Sequence, residues 1–146
     1  MTADPASPLD RLIAYLCERR DQIGKEWLAA IHRDIRIQAS EALTVRQLQD
    51  HLPLLFEHLM DALRVRSADL VEREAAGDGD AHGLQRWEHG YRLDELIREL
   101  TRVREVILNH IFAYTGGDPE FSSELLLLVI NTVGMFFDNI ACQSVE

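Results

Sequence analysis

Leu125-Leu-Leu-Leu-Val-Ile-Asn-Thr-Val-Gly-Met-Phe-Phe137 is the stretch on which the reading of this chain turns. Wound as a helix, it is apolar nearly all the way round, with Asn131 and Thr132 as its interruptions, and the surface helix of a small monomer does not tolerate that. It has to be covered on several sides. Either it is the central helix of a bundle, or it shares its second face with another copy of the chain. The shared face is the expectation, because a domain this small has few helices with which to wrap it. Leu126, Val129, Ile130, Val133, Phe136 and Phe137 are the residues expected to carry the dimer contact and the output. Thirteen residues fall short of the roughly twenty that cross a bilayer, so no membrane span is expected.

The segments on the amino-terminal side of this helix are helical too. Asp118-Pro119-Glu120 supplies a cap, a first-turn proline and an acidic first turn for it, and Gly116-Gly117 is expected to end the preceding helix with a left-handed cap. That preceding helix, long or gently broken, is marked by Leu84, Trp87, Tyr91, Leu96, Leu100, Val103, Ile107, Ile111 and Tyr114. Gly77-Asp-Gly-Asp80 reads as the loop before it. Earlier still, Thr44 and Gln47 have the form of a capping box, followed by a stripe of Val45, Leu48, Leu52, Leu55, Phe56, Leu59 and Leu63, with Pro53 predicting a kink or a restart near Asp50. The first helix opens at Ser7-Pro8 and carries Leu9, Leu12, Ile13, Leu16, Ile23, Trp27 and Ile31, weakened at Gly24. The expected fold is all-α, a bundle of four to six helices or a globin-like variant of one.

The chain has 146 residues, 47% of them hydrophobic, which is one domain over 1–146 with enough apolar material for a core. A formal net charge of −10 argues against nucleic acid as a partner. Met1 to Pro8 has neither the basic nor the apolar region of a secretory signal, so the expected location is the cytoplasm, with Cys17 and Cys142 reduced. No helix-ending signal follows Ile140. The expectation is therefore the amino-terminal part of a longer signalling protein.

Chemistry concentrates in Ala81-His-Gly-Leu-Gln-Arg-Trp-Glu-His-Gly-Tyr-Arg-Leu-Asp-Glu95, where His82-Gly83 recurs as His89-Gly90. On a helix the two glycines share one face and cost about 1 kcal/mol each against alanine, so something must exploit the room they leave. Tight helix packing is one use; a sensing or signal-coupling surface of His82, Arg86, His89 and Tyr91 is another. Metal chemistry fits poorly, because His82/His89 and His51/His58 each stand two turns apart, roughly 10 Å along an axis. No HExxH, GxSxG, P-loop or Cys/His nucleophile arrangement occurs, so the chain is not expected to be an enzyme or to need a cofactor. A haem pocket needs only one histidine, which keeps a haem-binding globin-like sensor as an alternative. A histidine phosphotransfer protein is a second alternative, weakened by Gln85 and Arg86 where lysine and glycine usually follow the phosphorylated histidine.

Leu48, Asp50-His51-Leu52-Pro53 and Leu55, followed by His82-Gly83-x-x-Arg86-x-x-x-Gly90-Tyr91-x-Leu93-x-x-Leu96-Ile97-x-Glu99-Leu100-x-x-x-Arg104, resemble the RsbRD N-terminal sensor domain, the family of the RsbT co-antagonists of bacterial stress signalling. The likeness spans roughly Ile23 to Phe137. It implies a helical, globin-like or bundle-shaped input domain, usually dimeric, that passes its state through the last helix to an output module, expected to be a kinase or STAS module; light, redox state, a small molecule or a partner protein are each open as the signal. By position, His82, Gly83, Arg86, Gly90, Tyr91 and Glu99 would be its signature residues. Arg86 is expected to pair with Glu99 or an acid on a neighbouring helix, and Tyr91 to tie its hydroxyl to a backbone carbonyl. The chain holds neither the histidine box nor the ATP-binding motifs of a kinase. Any signal would leave along Phe136 to Glu146 as the last helix shifts or rotates.

Overall fold

The computed structural model describes residues 7–34, 52–65 and 93–144, and among them there are five helices and no strand. Helix α1, Pro8–Glu18, begins as its sequence predicts: the Ser7 hydroxyl accepts the Asp10 N–H at 3.1 Å and Pro8 takes the first position. Leu9, Leu12, Ile13 and Leu16 form its buried face.

The first long stripe is divided into two helices. Arg19 leaves helical geometry at φ −104° and ψ 13°, and α2 runs from there over Arg20–Arg33. The inward turn between Leu16 and Ile23 falls to Arg19 and Arg20, and guanidinium groups cannot enter an apolar core unpaired. The break releases them: Arg19 stacks on the Tyr15 ring at 3.7 Å, and Arg20 reaches Glu57 at 3.5 Å. Gly24, the expected weak point, stays helical.

Helix α3, Leu52–Val65, carries Pro53; the kink or restart expected near Asp50 lies outside the described residues. Its Leu55, Phe56, Leu59, Met60, Ala62 and Leu63 are buried. Helix α4, Leu93–Thr115, is the longest, with Leu100, Val103, Ile107 and Ile111 turned inward. The part of its expected stripe before Leu93 lies outside the described residues, as do Gly77–Asp80 and the capping box at Thr44.

Two of the expected helix boundaries are corrected. Neither Gly116 nor Gly117 adopts the left-handed conformation. The helix instead unwinds through tightened bonds, Gly117 N–H to Tyr114 O at 3.0 Å and Asp118 N–H to Thr115 O at 3.2 Å. A Cβ at 116 would lie 3.2 Å from the Phe112 carbonyl, a tight contact that glycine avoids. Nor does the last helix open at Asp118. Asp118 closes a turn by accepting the Glu120 and Phe121 N–H groups, and α5, Ser123–Ser144, starts after Ser122, whose hydroxyl accepts the Leu125 N–H at 3.0 Å.

Packing makes α4 the hub, in contact with α1, α2 and α5, whereas α5 rests on α3 and α4. One core joins all five helices, and within it the Trp27 and Phe56 rings lie 6.2 Å apart. So α5 is not the central helix, and one flank of it faces solvent. By length and composition alone its Ser123–Cys142 stretch, twenty residues at mean hydropathy 1.8, is enough to cross a membrane, longer than the thirteen-residue count suggests. A third of that window is buried in the bundle.

Candidate functional site

The α4–α5 hairpin carries the residues of interest that the structure describes. His82, Gly83, Arg86, His89, Gly90 and Tyr91 lie outside the described residues, together with the expected contacts of Arg86 and Tyr91. Glu99 is described, and it is fully buried. One turn before it, Glu95 is buried as well, so the inward stripe of α4 reads Glu95, Glu99, Val103, Ile107, Ile111. Two acids enter the core at the amino-terminal end of that stripe, and each has a polar partner. Burial of a carboxylate demands such a partner, because its loss of hydration is otherwise uncompensated. Glu95 escaped the sequence reading, which followed leucines; the four-residue spacing from Glu95 to Ile111 was the available signal.

Basic residues of α4 then bind it to its neighbours. Arg102 stands 3.5 Å from Asp34 at the end of α2 and 2.9 Å from Glu105. His110 is hydrogen-bonded to Glu26 of α2. Arg104 meets Asp138 of α5 at 3.2 Å, on the outside of the hairpin. Among the described residues, no group of three His, Cys, Asp or Glu side chains is placed to share a metal ion.

The corner between α4 and α5 holds a polar network centred on Asp118. Asp118 Oδ2 accepts from Tyr114 Oη at 3.0 Å and from Arg11 Nη2 at 3.2 Å, while Oδ1 accepts the Glu120 N–H at 3.0 Å. Burial alone would raise the Asp118 carboxyl, but the Glu120 N–H, the Tyr114 hydroxyl and Arg11 outweigh it and hold the group below its ordinary value. Tyr114 is pushed up, by burial first and by its bond to Asp118 second. Its ring packs against Tyr15 with centroids 4.8 Å apart, so α1 is fastened to the corner by charge and by an aromatic pair.

Helix α5 has two unlike faces. Val129, Val133, Phe136 and Phe137 are buried inside the chain, and Leu126 and Ile130 are half-buried. The four core residues are therefore not available to a partner. Solvent meets a different set: Leu127 at 59% exposure, Leu128 and Met135 at 39% each. Leu128, Asn131, Met135, Asp138 and Cys142 alternate by three and four residues along this face, the spacing of a coiled-coil seam. Gly134 borders it, and a Cβ placed there would meet nothing within 4 Å.

Residues 21–146 match the model of the family described as RsbT co-antagonist protein rsbRD N-terminal domain. The chain belongs to that family. Membership fits a regulatory sensor domain of the stress-response system in which RsbT co-antagonists act. No curated protein and no solved structure matches the chain. The whole of α1 precedes the matched residues, yet it supplies Arg11 to the corner that sets the α4–α5 hairpin.

Proposed function

We propose that this rsbRD N-terminal domain is the input and dimerisation module of a bacterial signal-transduction protein, a sensor histidine kinase or a stress-response regulator. A change in the bundle is passed through α5 to a kinase or STAS module. The chain itself performs no catalysis and works in the cytoplasm without a cofactor, a nucleic acid or a membrane. Its signal is a small molecule or a partner protein.

The supporting observation is the division of α5. One face is locked into the core through Val133, Phe136 and Ile140, and the other presents Leu128 and Met135 to solvent at seam spacing. Two copies pairing in parallel along that face cover the apolar flank, so the twenty-residue window acts as a helix–helix surface. A repacked core then moves the seam, because the same helix belongs to both. Asn131 within the seam favours one register, as a polar seam residue does in coiled coils.

Cys142 lies on the seam and is exposed, which gives a direct test. In a Cys17→Ser background, mild oxidation is expected to join two chains through Cys142 in high yield, because a parallel seam sets each cysteine beside its twin. The Cys142→Ser variant should give no such product. Cross-linking no faster than that of an unrelated exposed thiol would contradict parallel pairing along α5.

A further inference from the structure

Away from the α4–α5 hairpin, a cleft of about 360 Å³ opens between α2 and α3, lined by Arg20, Asp21, Gly24, Lys25, Trp27, Pro53 and Phe56. Its volume falls within the range of small-molecule sites. The apolar wall comes from Trp27, Phe56 and Pro53, and the two rings meet at a tilt of 54°. Arg20 and Lys25 add positive charge, balanced in part by Asp21.

Two features of this cleft are unexplained by the packing of the chain. Gly24 sits inside α2, where glycine weakens a helix, yet a Cβ at this position would meet nothing within 4 Å. No neighbour requires the missing side chain, and its absence widens the cleft. Trp27 is only 1% exposed, and among the described residues its Nε1–H has no hydrogen-bond acceptor. Buried indole N–H groups are ordinarily paired. Among the described lining residues the charged groups are Arg20 and Lys25 against Asp21, with Glu57 of α3 paired to Arg20. Arg20 is held only by an exposed ion pair to Glu57, which is weak enough to be exchanged for a ligand.

We infer that this cleft binds a small aromatic carboxylate, its ring against Trp27, Phe56 and Pro53 and its carboxylate toward Arg20 and Lys25. Ring size is set by the space left at Gly24, and sign of charge by Arg20 and Lys25 on the cleft wall. In use, occupancy would couple α2 to α3, which rests on α5. That use depends on the sensing role proposed above; binding does not, and it is read directly at the indole.

The test is a titration of the full ¹⁵N-labelled chain with 1-naphthoate, followed at the two tryptophan indole signals, Trp27 and Trp87. One signal is expected to shift saturably and to persist in Trp87→Phe, which assigns it to Trp27. Gly24→Leu, which fills the cleft and strengthens the helix, should abolish the shift while keeping the thermal unfolding transition. Arg20→Gln with Lys25→Gln should weaken 1-naphthoate about tenfold and leave naphthalene-1-methanol unchanged. No saturable shift at millimolar 1-naphthoate, a shift confined to Trp87, or full binding by folded Gly24→Leu would each overturn the assignment, and none of them bears on cross-linking at Cys142.

Discussion

The two ends of the α4–α5 hairpin are built differently. At the corner, Asp118 gathers Arg11, Tyr114 and the Glu120 N–H, and Tyr15 packs on Tyr114, so the turn is fixed to α1 by directional bonds. Toward the carboxy-terminal end of α5, Arg104 of α4 meets Asp138, which is 74% exposed, and the buried face of α5 there consists of Val133, Phe136, Phe137 and Ile140. Polar networks hold one geometry, while apolar surfaces tolerate small slides between packed states. The contrast teaches that this hairpin is held by directional bonds where it turns and by a buried apolar face toward the end of α5.

The largest effect should come from the apolar end. Phe136→Ala is expected to cost about 3–5 kcal/mol in urea unfolding, as for a fully enclosed aromatic side chain, whereas Met135→Ala one position earlier should stay within about 0.5 kcal/mol at low protein concentration. Similar losses at both positions would erase the distinction between the two faces of α5.

At the corner, Asp118→Asn should lower the melting temperature by less than Phe136→Ala, and the loss should depend on pH. A carboxyl whose value is depressed on folding adds stability above its ordinary value of 3.8, and that addition disappears as pH falls through the lower folded value. The gap between natural and variant chains is therefore expected to be complete at neutral pH and to close in acid below 3.8. A gap that stays constant down to strong acid would mean that the ties to Asp118 do not depend on its charge. The smallest effect belongs to the far link: a double-mutant cycle on Arg104 and Asp138 should give a coupling of roughly 0–1 kcal/mol. A larger coupling would show that end to be fastened as well.

Much of this was legible in the residues. The all-α class, the Ser7-Pro8 entry and the inward leucines follow from helical spacing and capping chemistry, which act locally. What failed was what depends on neighbours. Arg19 and Arg20 broke a stripe whose apolar members were in phase. Asp118 resembled a cap and serves a turn, because Ser122 stood closer to the first inward residue of α5. The faces of α5 could not be told apart in the sequence, since Leu126 and Leu128 are chemically identical and only the positions of α3 and α4 decide which one meets solvent. Glu99 was recognisable from the family pattern, but its burial beside Glu95 becomes visible only in three dimensions.

The central claim is that the exposed seam of α5 is closed by a second copy. Sedimentation equilibrium on the natural chain and on Leu128→Glu with Met135→Glu tests it most directly. The account predicts twice the 16.7 kDa chain mass for the natural protein, and a single chain mass with an unchanged helical circular dichroism spectrum for the variant. A natural chain that stays monomeric at high concentration, or a variant that still sediments as a dimer, would contradict it.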